Sequence, residues 1–258
     1  MTKLAARINI IDVTTDNVDE VGIYCIKNKK SPGYNKKVEW FKNKINKELR
    51  IKIATDNQGK QLGFIEFIRS ELAWRPINAQ NYYFIHCIGL FVKEAKNKKI
   101  GTTLIEQCEQ EARQNKKSGI CMMTSDGPWI ANKTLFEKNG FIIADQIGRF
   151  ELMHKRLNDK GSSPQLNDWT KQQEKYKGWN LIYSDQCPWH EKSITDIKQS
   201  ATEHAIKLKV FKLTTPKDAQ NAPSGFGTYA LIKDGRLLAD HVISRTRFEN
   251  ILRQEKKN

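Results

Sequence analysis

One stretch constrains the fold of this chain more than any other: a long apolar strand, a basic turn and an amphipathic helix follow one another directly. The strand is predicted in YYFIHCIGLFV, and the helix after Ile100 places Leu104, Cys108 and Ala112 on one face. The turn between them holds four lysines and one glycine. Such a turn at the centre of a mixed sheet is a common ligand site, because the N–H groups at a helix N-terminus attract anions.

The neighbouring segments predict a mixed α/β sheet flanked by helices, in the order β, α, α, β, β, β, α, β, α, β, β. RIKIATD and KQLGFIEFIRS read as two strands around the turn NQG, which is typical of a hairpin. Gly89 inside the long strand predicts a β-bulge. Gly140 predicts the C-terminus of a helix that spans WIANKTLFEKNG.

A composition break predicts two domains. Residues 158–178 are polar and rich in turn formers, so we expect a linker between a domain at 1–157 and a smaller one at 179–258. The second part reads as βαβ followed by ββα, with Cys187 and Pro188 at the turn from its first strand into its first helix. This order resembles a small thioredoxin-like βαβββα domain.

Composition excludes several classes of function. The net charge is +15, but the lysines are scattered and form no basic stripe with stacking aromatics, which favours a lysine-rich surface over a specific nucleic-acid binder. No apolar run approaches ~18 residues, and MTKLAARINIID lacks a signal-peptide core, so we expect a cytoplasmic protein without a membrane segment. The five cysteines are widely spaced without a CxxC, which argues against a disulfide framework or a metal site.

Two motifs carry a resemblance to GNAT-type N-acetyltransferases: CIGLFVKEAKNKKIGTTLIEQCEQEA and WIANKTLFEKNGF. Over the whole chain, IEFIRSELAWRP, FIHCIGLFV and IYSDQCPWH, with DAQNAP and GTYALIKDGRLL, resemble the YoaP-like acetyltransferases, in which a GNAT domain precedes a small YoaP-like domain. The resemblance implies an acyltransferase for groups other than aminoacyl groups. It implies acetyl-CoA as co-substrate and a small-molecule or peptide amine as acceptor, with an unknown oligomeric state.

The resemblance also implies which residues contact the cofactor. They are Leu90, Phe91, Val92, Lys96, Asn97, Lys98, Lys99, Ile100, Gly101, Thr102, Asn132 and Phe136. Lys96 and Lys99 stand where the family has Arg or Gln and its first glycine, while Gly101 is retained. Lysine adds charge that a diphosphate attracts. Phe136 stands where many relatives have a tyrosine that protonates the leaving thiolate, so this step falls here to another group, to water or to no group at all.

Four residues are candidates for the acceptor side. His86 lies where related enzymes carry a glutamate base, and histidine titrates near neutrality; the alternative is a packed core histidine. Glu66, within an apolar strand, is a second base or an amine anchor, or else a solvent-facing residue. Trp74 and Arg75 are predicted to line the acceptor mouth, with a plain surface loop as the alternative.

Cys187 is a candidate reactive thiol. A cysteine at a helix N-terminus has a lowered pKa, but CPWH lacks a second cysteine for a dithiol cycle. A binding module or a scaffold with an unused cysteine remain alternatives for this domain. Three functions therefore stay open at this point: an N-acetyltransferase, a catalytically weak CoA-binding sensor or interaction protein, and a thiol-handling protein centred on Cys187.

Overall fold

The structure is a computed structural model that describes residues 8–45, 48–90 and 99–257. The N-terminal half (residues 1–157) contains, in chain order, β1 (Asn9–Asp12), α1 (Val18–Val21), α2 (Pro32–Lys44), β2 (Arg50–Thr55), β3 (Gln61–Arg69), β4 (Ile77–Asn78), β5 (Tyr82–Gly89), α3 (Ile100–Gln114), β6 (Gly119–Ser125), α4 (Thr134–Glu137), β7 (Ile142–Ile147) and β8 (Phe150–Arg156). The C-terminal half (residues 158–258) contains β9 (Gln165–Leu166), α5 (Thr170–Gln173), β10 (Trp179–Tyr183), α6 (His190–Glu203), β11 (Leu208–Lys212), α7 (Pro216–Gln220), β12 (Tyr229–Lys233), β13 (Arg236–Ala239) and α8 (Arg245–Glu255). Within the described ranges, no helix is long and apolar enough to cross a membrane.

The larger sheet has seven strands in the order β1-β2-β3-β5-β6-β8-β7. Its neighbouring strands are antiparallel except β5 and β6, which run parallel because α3 connects them as a crossover. The apolar face of α3 packs on the sheet through Leu104, Cys108 and Ala112, as its periodicity predicts. The mixed sheet flanked by helices is confirmed.

Proline and glycine mark the ends of two helices in the N-terminal half. Helix α2 begins at Pro32. Proline fits the first turn of a helix because its missing N–H would have no intrahelical partner there. Helix α4 covers only Thr134–Glu137 and is shorter than predicted; the turn that follows it closes at Gly140, whose φ of +80° fits the predicted position just after a helix C-terminus.

The second sheet has four strands in the order β11-β10-β12-β13. Strands β10 and β11 are parallel and joined by α6, and β12 and β13 form an antiparallel hairpin. Asp234 and Gly235 turn this hairpin with φ values of 49° and 77°, the left-handed backbone that a two-residue turn requires. The predicted order of elements is confirmed, whereas the assignment to the thioredoxin-like fold stays a prediction.

The two halves share one hydrophobic core. Tyr82 and Phe150 of the large sheet belong to the same buried cluster as Leu181 and Tyr229 of the small sheet. Part of the predicted linker is folded into this contact, since β9 pairs with β4 and Trp169 is buried there. The division into two domains stays a prediction, and the contact between the halves positions the site described next.

Candidate active site

The central feature of the large sheet is a gap between its two parallel strands. Strands β5 and β6 pair only from Tyr82 opposite Gly119 to Ile85 opposite Met122. Beyond this point β5 continues to Gly89 and β6 to Ser125, and no backbone ladder joins these two stretches among the described residues. Backbone N–H and C=O groups on the facing edges of such a gap need partners, which an extended ligand can supply.

A β-bulge at His86 shapes the inner end of this gap. Glu66 on β3 lies opposite Cys87 and Phe67 lies opposite Ile85, so His86 is an extra residue on β5. Gly89, where the bulge was predicted, pairs regularly with Phe64. The bulge interrupts the alternation of side chains. As a result, Cys87 and His86 line the same cavity, although a regular strand places neighbouring side chains on opposite faces.

This cavity lies between the two halves of the chain and has a volume of about 630 Å³. Its walls are mostly aromatic, aliphatic and thiol side chains, with few charged groups. The cavity lining includes Tyr24, Cys25, Phe64, Glu66, Arg75, Phe84, His86, Cys87, Met123, Trp129, Gln186, Cys187, Trp189 and Phe226. Small-molecule sites are typically apolar cavities of this size with a few polar groups.

Glu66 is the buried carboxylate of the cavity, and three side chains satisfy it. Lys37 Nζ lies 2.5 Å from Oε2, while His86 Nδ1 at 3.1 Å and Gln186 Nε2 at 2.9 Å share Oε1. Burial opposes its ionisation, but Lys37 and His86 outweigh burial and lower the pKa of Glu66 to about 2. Glu66 is therefore ionised at neutral pH, and the expectation of a solvent-facing position is excluded.

His86 is held by hydrogen bonds at both ring nitrogens. The backbone N–H of Trp74 donates to Nε2 at 2.9 Å, so Nδ1 carries the proton and donates to Glu66. Burial lowers the pKa of His86 to about 4, despite the opposing effect of Glu66. A general base needs a free lone pair, and in this arrangement His86 has none. Both ring nitrogens are thus occupied in orienting Glu66 and Trp74, and the role of His86 as base stays a prediction.

Arg75 lines the cavity and Trp74 does not. The Arg75 guanidinium donates from Nη1 to Trp74 O at 2.8 Å and lies 5.1 Å from the centre of the Phe226 ring. Trp74 is buried and packs against Trp40, with ring centres 5.4 Å apart. Of the two residues predicted at the acceptor mouth, the structure therefore brings only Arg75 to the cavity.

Three cysteine side chains line the cavity: Cys25, Cys87 and Cys187. Burial raises the pKa of each thiol, that of Cys87 to about 12. For Cys187, burial outweighs the hydrogen bond from the Trp189 backbone. The expectation of a lowered pKa at Cys187 is thus wrong in direction, because the thiol is desolvated and lies before the helix begins at His190.

The predicted phosphate turn is described only at its end, since Phe91, Val92, Lys96, Asn97 and Lys98 lie outside the described residues. Lys99 precedes α3 with φ +56°, a left-handed conformation that glycine adopts more readily. The first helical bond runs from Thr103 N to Lys99 O.

The three residues that start α3 therefore have N–H groups with no acceptor in the helix, as an anion site requires: Ile100, Gly101 and Thr102. Gly101 packs closely on Leu135, because a Cβ there would lie 3.1 Å from the Leu135 methyl groups and would require that side chain to shift.

The remaining predicted cofactor residues lie apart from the cavity wall. Leu90 is exposed at the end of β5. Asn132 is exposed, and its Oδ1 accepts hydrogen bonds from the backbone N–H and the hydroxyl of Thr134. Phe136 is fully buried and packs against Phe141 with ring centres 5.2 Å apart, so it is a core residue.

Sequence reasoning missed four residues of this site. Lys37 lies on a polar helix, and Gln186 comes from the other half of the chain. Trp129 and Trp189 are about half exposed at the cavity mouth, with ring centres 6.1 Å apart. The exposed tryptophans are a signal, because large aromatic side chains are seldom left in solvent without a function. Among the described residues, no cluster of His, Cys, Asp or Glu could hold a metal.

Comparison with known proteins finds three kinds of similarity. The model of the YoaP-like family matches residues 207–250. Two solved structures cover about three fifths of the chain: a GNAT-family acetyltransferase from Staphylococcus aureus Mu50 (17% identical, TM-score 0.44, 59% of this chain and 100% of that chain) and the PaiA N-acetyltransferase from Thermoplasma acidophilum in complex with coenzyme A (18% identical, TM-score 0.41, 58% and 99%).

One curated protein aligns over nearly the whole chain. It is the "Uncharacterized N-acetyltransferase YoaP" of Bacillus subtilis (strain 168), 27% identical over 248 residues, which are 94% of this chain and 97% of the relative. The resemblance to the YoaP-like acetyltransferases, predicted from the sequence, is confirmed by this relative and by the family match.

Proposed function

We propose that this protein is an acetyl-CoA-dependent N-acetyltransferase in which an amine attacks the thioester carbonyl directly. The observation that carries the proposal is the position of the gap between β5 and β6, which opens onto the cavity of Glu66 and Arg75. An extended acyl-CoA arm suits the gap, because unpaired strand edges offer it backbone hydrogen bonds. The curated relative, which aligns over nearly the whole chain and is named an N-acetyltransferase, supports the same activity.

The rest of the cofactor is proposed to lie along the turn and α3. The backbone at Leu90, Phe91 and Val92 would pair with the pantetheine arm. The diphosphate would lie at the N–H groups of Ile100, Gly101 and Thr102, where the helix dipole attracts negative charge. Lys96, Asn97, Lys98 and Lys99 add charge and donors around it, and the Nδ2 group of Asn132 is an exposed donor for the arm.

The charges of the cavity favour a neutral amine. Lys37 and Glu66 cancel as an ion pair, and Arg75 leaves the cavity with an excess positive charge. A nearby positive charge disfavours protonation of an amine and stabilises the oxyanion that develops on the thioester oxygen. The amine nitrogen forms a bond to the carbonyl carbon, the carbon–sulfur bond breaks, and the proton released by nitrogen is passed to solvent. This route needs no strong base, which agrees with the hydrogen-bonded state of His86.

The leaving CoA thiolate needs a proton, and Phe136 cannot supply one. We assign this step to Tyr24, which lines the cavity with its ring 5.4 Å from that of Phe64; solvent, which takes up the proton released by nitrogen, then returns a proton to the Tyr24 phenolate. Tyr24 adopts φ +62°, a strained backbone that is typical of functional positions. We expect Tyr24→Phe to lower kcat by about 100-fold, the scale of general acid catalysis, without weakening CoA binding. Tyr34→Phe is the control, since Tyr34 is a buried tyrosine outside the cavity lining.

Thiol release from acetyl-CoA with a panel of amines tests the proposal. The panel should contain polyamines, amino acids, aromatic amines and short peptides, and CoA binding should be measured by calorimetry on the same protein. Acceptor-dependent thiol release supports the transferase. Tight CoA binding without release for any acceptor would instead support the sensor, for which the buried Phe136 is the motivating observation.

A further inference from the structure

Arg75 is a buried guanidinium whose hydrogen bonds are only partly used. Its Nη1 donates to Trp74 O at 2.8 Å and to Thr228 Oγ1 at 3.4 Å. A guanidinium also carries donors on Nε and Nη2. No acceptor among the described residues takes these, although the side chain is only 7% exposed and lines the cavity. One edge of Arg75 is therefore available to a ligand in the cavity.

The charge of Arg75 is also uncompensated. Other arginines pair with carboxylates: Arg50 with Glu111 at 2.9 Å and Arg149 with Asp240 at 2.8 Å. The nearest carboxylate in the cavity, Glu66, is already held by Lys37 at 2.5 Å. Arg75 makes no ion pair within the described ranges of the chain. A buried charge without a partner is unfavourable, and a bound anion removes that cost.

The C-terminal half holds this guanidinium in place. Phe226 lies under it, and Gly227 packs against the backbone of Arg75, where a Cβ would approach within 2.9 Å of Cα. Gly227 also has φ +75°, which glycine adopts without strain. A side chain fixed in this way loses little conformational freedom when it binds, so it is well suited to a planar, bidentate carboxylate.

The other walls of the cavity select for apolar groups. Phe84, Met123 and Phe226 line it, and the tryptophan pair Trp129 and Trp189 stands at its mouth. With about 630 Å³, the cavity has room for a side chain the size of phenylalanine beside the end of an acyl chain. A highly charged acceptor such as a polyamine would meet the positive charge of Arg75 there.

From these observations we infer that the acceptor is a hydrophobic α-amino acid, or a similar small amine that also carries a carboxylate. Its carboxylate pairs with Arg75. The inference rests on the proposed acetyl transfer and names the substrate class of the same site. The carboxylate binds the free edge of the guanidinium, the apolar side chain lies among the aromatic walls, and the amine points towards the inner end of the gap between β5 and β6. The product is the N-acetylated amino acid together with CoA.

Matched acceptors test the inference with the full-length protein. Each L-amino acid is paired with the amine that lacks only its carboxylate: L-phenylalanine with phenethylamine, L-leucine with 3-methylbutylamine, and L-methionine with 3-(methylthio)propylamine. We expect kcat/KM for at least one amino acid to exceed that of its partner by at least about 30-fold, the low end for losing one side of a buried charge pair. A preference for the partner amines throughout would overturn the inference.

Variants of Arg75 separate carboxylate binding from stabilisation of the oxyanion. We expect Arg75→Gln to lower kcat/KM for the amino acid by at least about 30-fold more than for its partner amine, which loses only the stabilisation of the oxyanion, and Arg75→Lys to remove most of the preference, because lysine cannot bind bidentately. Arg149→Gln, which also breaks an arginine contact between the halves, should keep the preference. An equal loss for acid and amine in Arg75→Gln would contradict the inference.

Calorimetry distinguishes failure of the inference from failure of the proposed function. L-Phenylalanine, L-leucine and L-methionine are titrated into the CoA-saturated protein and into CoA-saturated Arg75→Gln, with folding of the variant checked by circular dichroism. Binding that depends on Arg75 without any turnover would contradict the proposed acetyl transfer and support the carboxylate site. Turnover of amines without any binding of the amino acids would keep the transferase and refute the site.

Discussion

Gln186 in the C-terminal half donates a hydrogen bond of 2.9 Å from Nε2 to Oε1 of Glu66 in the large sheet. The bond brings a residue from the second half into the charge network at the inner end of the β5–β6 gap. Lys37, His86 and Gln186 together satisfy a carboxylate that is fully buried. The C-terminal half is therefore part of the candidate site, because it supplies a wall of the cavity and one hydrogen-bond donor to the Glu66 carboxylate.

We predict that Gln186→Ala destabilises the protein by about 1–3 kcal/mol, because a buried acceptor loses a donor. Urea denaturation measures the change. Lys36→Ala is the matched control, since Lys36 also joins the halves, through Glu191 at 2.6 Å, but is 40% exposed. An exposed ion pair contributes less than about 1 kcal/mol. Equal losses for the two variants would contradict the account of the Glu66 network.

His86→Gln tests whether the histidine positions or catalyses. A glutamine amide has both a donor and an acceptor, so it can replace the bonds to Glu66 and to the Trp74 N–H. We predict that kcat falls less than about 10-fold and that the pH profile of kcat/KM keeps its shape, whereas loss of a general base costs about 100- to 10,000-fold. If the fall of kcat/KM at acidic pH disappears in His86→Gln, the prediction is contradicted and His86 acts as the base.

The same variant should change how stability depends on pH. Burial lowers the pKa of His86 from its usual 6.5 to about 4. Between these values the unfolded chain therefore binds more protons at this histidine than the folded chain does. The contribution of neutral His86 to the free energy of unfolding is complete above pH ~6.5 and is lost as the pH falls towards ~4. It amounts to on the order of 3 kcal/mol.

Urea denaturation between pH 7 and pH 4 measures the effect. We expect wild type to lose more stability over this range than His86→Gln. His190, whose pKa burial also lowers to about 4, remains in both proteins and cancels in the comparison. Parallel curves for the two proteins would contradict the buried, neutral state of His86.

Lys99 combines charge with backbone strain, and two substitutions separate them. Lys99→Gly and Lys99→Ala both remove the charge, but only glycine accepts φ +56° without strain. We predict that the glycine variant is more stable than the alanine variant by about 1 kcal/mol. Both should weaken CoA binding, and more so at low salt, because the lost attraction is screened by ions. Equal stability of the two variants would argue against the left-handed backbone at this position.

Local patterns in the sequence were sufficient for much of the fold. The hairpin of β2 and β3, the strand–turn–helix unit ending in α3 and the C-terminus at Gly140 follow from periodicity and turn chemistry. The bulge was placed at Gly89 because glycine is its usual sign. Its true position at His86 depends on the register with β3, which a single strand does not encode.

The chemistry of the site was less accessible from sequence. Glu66, His86 and Arg75 were candidates, but their states depend on partners that are distant along the chain. Lys37 is 29 residues and Gln186 is 120 residues from Glu66. Burial then decided the protonation of His86 and of Cys187, for which sequence patterns predicted a base and an activated thiol.

Direct transfer without an acyl-enzyme is the central claim, and three thiols in the cavity make it testable. The measurement is mass spectrometry of the intact protein and of the acceptor after mixing with acetyl-CoA that carries an isotope-labelled acetyl group. We predict an unmodified protein when no amine is present, and labelled N-acetyl product once an accepted amine is added, in wild type and in Cys187→Ser alike. Labelled protein that passes its acetyl group to the amine, or the absence of labelled product with every amine, would contradict the account.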